Sequence, residues 1–156
     1  EVAFIARRIM ICASEDVGNA DPRALTVAVS AAQAVERIGM PEAQIILSQA
    51  ATYVACAPKS NSACNAIFAA NEEVRRSGNL PIPAHLQDAH YKGAAKLGHG
   101  TGYKYAHDYP NHYVEQQYLP YELTGKKYYE PSWNGYEAKI REHMKRIKDE
   151  AKQKED

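Results

Sequence analysis

A glycine-rich stretch at residues 98–102, followed closely by Lys104, is the first feature of the sequence that suggests chemistry. Such loops bind phosphate when they have the form Gly-x4-Gly-Lys-Ser/Thr behind a β-strand, because backbone N–H groups and the lysine then surround the phosphates. Here Lys104 is not adjacent to Gly102, neither Ser nor Thr follows it, and no strand is predicted before it. We therefore interpret the stretch as a flexible turn, and we expect no cofactor to bind to this chain.

Three histidines in the same region, His99, His107 and His112, suggest a metal site as an alternative, together with Asp108. Zinc sites usually combine four ligands at close Cys and His spacings, and no cysteine lies near these residues. The favoured interpretation is that His107 and Asp108 hold the local backbone by hydrogen bonds. We expect no metal ligands in this chain.

The three cysteines, Cys12, Cys56 and Cys64, are candidate nucleophiles. A reactive thiolate needs a helix N-terminus or basic neighbours to lower its pKa, whereas these residues are flanked by Ala, Ile or Asn. We therefore predict buried structural cysteines, which behave as small hydrophobic side chains. An odd number of free cysteines also favours a reducing, cytoplasmic compartment.

Basic and aromatic residues alternate at Lys126, Lys127, Tyr128 and Tyr129, as they do in proteins that bind single strands of nucleic acid. The chain as a whole has 19 basic and 19 acidic residues, and this zero net charge argues against strong binding by the chain alone. Ordinary solvated charge is the favoured interpretation. Lys104, Lys126 and Lys127 remain the candidate nucleic-acid contacts.

Composition narrows the classes of protein further. A chain of 156 residues fits one domain, or one domain with a tail. Hydrophobic residues make up 45% of it, with alanine prominent among them, which favours closely packed helices over a sheet. No segment has the length and apolarity of a membrane span, and no secretory signal opens the sequence. Because Glu1 rather than Met begins a helical pattern, we expect a piece of a longer protein.

Periodic polar positions predict an all-α fold whose helices are joined at glycine and proline residues. The second helix has only one narrow polar stripe and is expected to be mostly buried, and the fourth is expected to turn an apolar stripe towards the core. The predicted helices cover residues 2–17, 22–38, 41–57, 60–78, 88–97 and 132–152, and the stripe of the fourth consists of Ala63, Cys64, Ile67, Phe68, Ala70 and Val74.

The composition changes at residue 79, which predicts a helical core at residues 1–78 and a second part at 79–156 packed on the same domain. Nine of the eleven tyrosines lie between residues 103 and 136, among prolines. We expect an ordered, irregular arm whose aromatic side chains lie on a surface. The last helix has a heptad-like stripe of Tyr136, Ile140, Met144 and Ile147, which is the candidate oligomer interface.

Several segments, taken in order, resemble the C-terminal part of the MgsA/RarA family of AAA+ ATPases. These are the bacterial replication-associated recombination proteins, and the Werner-helicase-interacting protein is their eukaryotic relative. The resemblance covers essentially the whole chain. It rests on residues 14–22 (SEDVGNADP), 35–43 (VERIGMPEA), 57–61 (APKSN), 102–110 (GYKYAHDYP), 116–120 (QQYLP) and 128–131 (YYEP).

The resemblance implies a clamp-loader-like ATPase module followed by a helical, collar-type domain that mediates formation of a homotetramer. ATP and magnesium would bind in the ATPase module, upstream of this chain, so no catalytic residue of the family maps to any position here. The resemblance further implies that DNA and the single-strand DNA-binding protein are partners of the parent protein. It implies that the parent protein acts in the cytoplasm at replication forks, during replication, recombination and repair.

Three functions follow from these observations. The first is an oligomerisation domain of a DNA-dependent AAA+ ATPase, and the second is a docking module of the same ATPase for DNA or for the single-strand DNA-binding protein. The third, a small enzyme, is disfavoured because no nucleophile with a base and no metal set emerges from the residues. The first two functions do not exclude each other.

Overall fold

The structure is a computed structural model, and it describes residues 1–154 of the chain. Five α-helices account for most of the regular structure, and no β-strand occurs among the described residues. The predicted all-α fold with a C-terminal helix is therefore confirmed. The helices are α1 (Val2–Cys12), α2 (Arg23–Ile38), α3 (Ala43–Cys56), α4 (Ser62–Ser77) and α5 (Tyr136–Lys152).

Helices α1, α2 and α3 pack against one another and form the core. Small side chains fill most of the contact positions, so the helix backbones approach closely and exclude water with little side-chain volume. Two clusters of buried residues result. One consists of Ala13, Val17, Ala24, Ala28 and Val54, and the other of Ala6, Val35, Ala43 and Leu47.

The first helix is predicted to run to residue 17, but its regular α-helical part ends earlier. The α-helical hydrogen bonding stops at Cys12, and the chain continues as one π-helical turn at Ala13–Val17 before Gly18. Gly18 has a φ of 51°, and a Cβ atom there would lie 2.9 Å from the carbonyl oxygen of Ser60. Glycine is therefore required where the α3–α4 connection approaches the π-turn.

Two burial predictions are wrong. Helix α2 is expected to be mostly buried, but Leu25 and Ile38 are exposed, and buried positions on this helix are taken largely by alanine. On α4, Ile67, Phe68 and Val74 are more than half exposed instead of facing the core. The sequence period correctly marks an apolar face on α4, but α1–α3 do not cover that face.

The stretch between α4 and α5 is irregular, as predicted, with short 3₁₀ turns. The helix predicted at residues 88–97 is reduced to one 3₁₀ turn at Ala94–Leu97, because Gly93 adopts a left-handed φ of 98° before it. Several aromatic side chains of the arm are exposed to solvent and are not packed against a protein surface as expected, among them Tyr103, Tyr105, Tyr118 and Tyr121.

Backbone contacts divide the chain into two compact units. Unit 1 comprises Glu1–Ala70 and Tyr128–Glu142, and unit 2 comprises Asn71–Lys127 and, of the described residues, 143–154. The predicted division into a helical core at residues 1–78 and a second part at 79–156 stays a prediction. Among the described residues, no helix has the length and apolarity needed to cross a lipid bilayer.

Candidate functional site

The most unusual side chain in unit 1 is Glu137, a carboxylate with no solvent exposure in the first turn of α5. Its Oε1 atom accepts hydrogen bonds from the Ser60 hydroxyl at 2.5 Å and from the Ser132 backbone N–H at 2.6 Å. Its Oε2 atom accepts one from the Tyr129 hydroxyl at 2.8 Å. We call Glu137, Ser60, Tyr129 and Ser132 the Glu137 node.

The hydrogen bonds of the node decide the charge of Glu137. Burial alone would raise the pKa of this carboxyl group, because a low dielectric disfavours its charged form. The donors from Ser60, Ser132 and Tyr129 outweigh burial and hold the pKa at about 2. Glu137 is therefore an anion at neutral pH, and it lies at the helix N-terminus, where the macrodipole also favours negative charge.

The elements around the node fix its donors. The Ser60 N–H donates to the carbonyl of Asp16 at 2.8 Å, which ties the α3–α4 connection to the π-turn. The Asn19 side-chain amide donates to the Tyr129 hydroxyl at 3.4 Å, and the Asn134 amide donates to the Lys59 carbonyl at 2.9 Å. Three of the segments that carry the family resemblance, residues 14–22, 57–61 and 128–131, therefore meet at this place.

The path of the chain beside the node also requires glycine at position 135. It has a φ of 55°, and a Cβ atom there would lie 2.2 Å from the carbonyl oxygen of Ala20 and 2.7 Å from Cγ of Pro58. Any other residue would displace backbone at this contact. The chain thus enters α5 along one narrow path against Ala20 and Pro58.

The node is suited to positioning and not to proton transfer. Its carboxylate is fully buried and all its donors come from the protein, so a substrate has no access to it. Sequence reasoning missed Glu137 because an acidic residue in a first helical turn usually lies in solvent. No local pattern marks it, because Glu137 lies five residues after Ser132 and not three, as a capping box requires.

The predicted oligomer stripe lies on one side of α5, since Tyr136, Ile140, Met144 and Ile147 follow each other at intervals of three or four residues. Tyr136 is 51% exposed, while the three aliphatic side chains are only half-buried. The stripe therefore has the required periodicity, and its role as an interface stays a prediction.

The predicted nucleic-acid contacts, Lys104, Lys126 and Lys127, are all exposed and lie in unit 2. The Lys126 ammonium forms an ion pair with Glu73 at 3.5 Å. The backbone of Lys104 is held by the side chain of Gln116, which accepts from its N–H at 3.2 Å and donates to its carbonyl at 2.8 Å.

The histidines and the glycine-rich turn make contacts within unit 2. Nδ1 of His107 lies 3.1 Å from Nδ1 of His112, and the role of His107 and Asp108 in holding the local backbone stays a prediction. His99 contacts the Tyr91 hydroxyl instead. No group of three or more potential metal ligands occurs in the part of the chain that the structure describes. In the glycine-rich turn, the Gly100 N–H donates to the Ala84 carbonyl at 2.8 Å.

The cysteines differ from one another. Cys56 is exposed, so the prediction that it is buried is wrong, and Cys12 and Cys64 are partly buried. The exposure of Cys56 follows from its place at the end of α3, where the next helix does not cover it. Burial, followed by the neighbouring Asp16 carboxylate, raises the pKa of the Cys12 thiol, which makes it a poor nucleophile.

An open apolar groove of about 610 Å³ runs in unit 1 between α1, the first turns of α4 and the start of α2. Met10, Ile11, Leu25 and Phe68 line it, with Arg7 and Glu15 also bordering it. Phe68 is 61% exposed and Leu25 43% exposed. We call this surface the α1–α4 groove.

Comparison with known proteins gives one family for nearly the whole chain. The family described as MgsA AAA+ ATPase C terminal matches residues 1–148. An AAA-domain-containing protein of Mycobacterium tuberculosis is 51% identical over 93% of this chain and 32% of its own length.

Two proteins named replication-associated recombination protein A are also similar. The one from Bacillus subtilis is 47% identical over 86% of this chain and 32% of its own length, and the one from Coxiella burnetii is 43% identical over 90% and 32%. The chain thus spans about a third of the length of the curated relatives it matches.

Proposed function

The chain belongs to the family of MgsA AAA+ ATPase C-terminal domains, and from this we propose that it is the domain that holds such an ATPase in a defined oligomer. The resemblance to the MgsA/RarA family points to a homotetramer, and a tetramer with D2 symmetry would bury each patch without leaving an open edge. The parent protein would use ATP and magnesium in a separate module and act on DNA during replication, recombination and repair in the cytoplasm.

The observation that supports the assembly role most strongly is the uncovered apolar surface of unit 1. Ile67 and Phe68 on α4 are 54% and 61% exposed, and Phe4 on α1 is 53% exposed. Monomeric soluble proteins rarely expose large contiguous apolar patches, and such patches usually mark interaction sites. The α1–α4 groove adds a concave surface into which a facing side chain can insert.

The stripe on α5 is proposed as a second part of the interface. Tyr136 is its most exposed member, and tyrosine is enriched at protein interfaces because it has a large apolar body and a polar tip. The Glu137 node contributes indirectly, because it anchors the first turn of α5 within unit 1.

Sedimentation of the chain with two variants tests this proposal. Replacing Phe68 by Asp places a charge beside the groove and is expected to shift the oligomer to monomer or dimer, since loss of a central interface residue costs roughly 2–4 kcal/mol. The matched control is Ile45→Asp, because Ile45 on α3 is 72% exposed and does not line the groove. If both variants keep the wild-type mass, the groove is not the interface.

A second candidate function is docking of DNA or of the single-strand DNA-binding protein through the arm. It is favoured by the exposure of Lys104, Lys126 and Lys127 within unit 2. A DNA titration at several salt concentrations tests it, because each phosphate contact that is lost lowers the salt dependence of binding. If the salt dependence is unchanged in the Lys127→Ala variant, Lys127 does not contact a phosphate group of the DNA.

A further inference from the structure

Trp133, the only tryptophan of the chain, is 67% exposed in the short segment before α5. Tryptophan carries the largest apolar surface of any side chain and is usually well buried, so an indole left in solvent needs an explanation. The assembly role does not supply one, because Trp133 belongs neither to the residues that line the α1–α4 groove nor to the stripe on α5.

The structure holds this exposed indole firmly. The Arg141 guanidinium lies over its ring, 4.5 Å from the centroid, and donates a hydrogen bond to the carbonyl of Pro131. On either side of Trp133, the backbone N–H of Ser132 donates to Glu137, and the side-chain amide of Asn134 donates to the carbonyl of Lys59. Since the segment is already fixed, a ligand that stacks on the ring pays little further conformational entropy.

The chemistry around the indole selects a flat, polar ligand. One face is covered by Arg141, so an indole that remains two-thirds exposed must present its opposite face to solvent. A guanidinium behind the ring gives the site positive charge, and its other N–H groups can donate to a phosphate oxygen. A nucleobase fits these conditions better than an aliphatic protein surface does, because stacking needs only a π-face and tolerates polar edges.

We propose that the free face of Trp133 is a stacking platform for one base of a single-stranded nucleic acid, with Arg141 as its cationic support. Single strands are required because the bases of a duplex are already stacked on each other. This site lies in unit 1, on residues different from the lysines of the arm, and it goes beyond the assembly role.

The first test uses the indole itself as the probe. Because the chain has one tryptophan, its fluorescence reports on this site alone. Adding an oligothymidylate at low salt is expected to quench the emission in a saturable way, and a blunt duplex of equal length is expected to quench it less. Absence of quenching by the single strand would overturn the proposal.

The second test measures affinity by the anisotropy of a labelled oligothymidylate. Trp133→Ala is expected to weaken binding at least fivefold, since one base–aromatic stack is worth about 1–3 kcal/mol, while Trp133→Phe is expected to recover much of the affinity. The control is Tyr121→Ala, which removes a similarly exposed aromatic residue, 64% exposed, from unit 2. Equal affinities of wild type and Trp133→Ala would overturn the proposal.

Two further readouts separate this site from the assembly role. Helical circular dichroism should be the same in wild type and Trp133→Ala, because the indole is not part of the core. Sedimentation should also give the same mass for both, whether or not that mass is an oligomer. If the emission of Trp133 shifts to the blue as protein concentration rises without nucleic acid, another copy of the chain covers the indole and the platform is excluded.

Discussion

Replacing Glu137 by Ala or Gln is expected to lower the free energy of unfolding, because either change removes a buried anion and hydrogen bonds that it accepts. The pKa of Glu137 is about 2, against an ordinary value of 4.5. This difference corresponds to about 3 kcal/mol of stabilisation at neutral pH, at about 1.4 kcal/mol for each tenfold change in proton affinity.

The alanine variant also leaves the donors of Ser60, Tyr129 and Ser132 without their acceptor inside unit 1. A buried donor without a partner costs about 1–3 kcal/mol, part of which a water molecule entering the cavity can recover. We therefore expect Glu137→Ala to lose about 3–5 kcal/mol. The glutamine variant keeps one acceptor oxygen for Ser60 and Ser132 but has no charge, so its loss should be about 3 kcal/mol.

The pH dependence gives an independent check on the same carboxylate. Because the pKa in the folded state lies below the ordinary value, the stabilisation is present above about pH 4.5 and is lost as the pH falls towards 2. The wild type should therefore lose stability over this range more steeply than Glu137→Gln, which has no carboxyl group to protonate.

Urea unfolding at fixed protein concentration, at pH 7 and at about pH 3, measures both effects. The control is Glu142→Ala, because Glu142 lies on the same helix but is exposed, and a change there should stay within about 0.5 kcal/mol. A loss below about 1 kcal/mol for Glu137→Ala, or equal acid sensitivity of wild type and Glu137→Gln, would refute a charged, hydrogen-bonded Glu137.

Three further predictions concern other parts of unit 1. Gly135→Ala should cost more than about 2 kcal/mol, measured by urea unfolding, because its Cβ would lie 2.2 Å from a carbonyl oxygen; wild-type stability would contradict that packing. Cys56 should react with a maleimide much faster than Cys12, which is partly buried and has a raised pKa; equal rates by mass spectrometry of the labelled peptides would be inconsistent with this. The hydrogen bond of Tyr53 to Asp21, at 2.7 Å, raises the pKa of the phenol above 10. Tyr53→Phe should thus be less stable than wild type below that pH, and the difference should shrink as the pH rises above it.

The helices of unit 1 could be predicted because their ends are marked chemically. Gly39 and Pro58 stop α2 and α3 near the predicted residues, since glycine at a positive φ and proline both end helical hydrogen bonding. The start of α5 was predicted at residue 132 but lies at Tyr136. The intervening residues are held in an irregular path by Glu137, which local propensity does not reveal.

The site could be predicted only in part, for a related reason. A hydrophobic period identifies the apolar face that carries Ile67 and Phe68, but it contains no information about which surface covers that face. Glu137 was missed because charge normally predicts solvent exposure, and only the tertiary arrangement brings Ser60 and Tyr129 to it. The predicted nucleic-acid contacts were identified by residue type alone, and one of them, Lys126, forms an ion pair with Glu73.

Sedimentation equilibrium of the wild-type chain over a range of concentrations tests the assembly role most directly. We expect a species with the mass of four chains of 17.3 kDa each, which the Phe68→Asp variant converts to smaller species. A single species of 17.3 kDa at every concentration up to tens of micromolar would contradict the proposal that this domain holds the ATPase together.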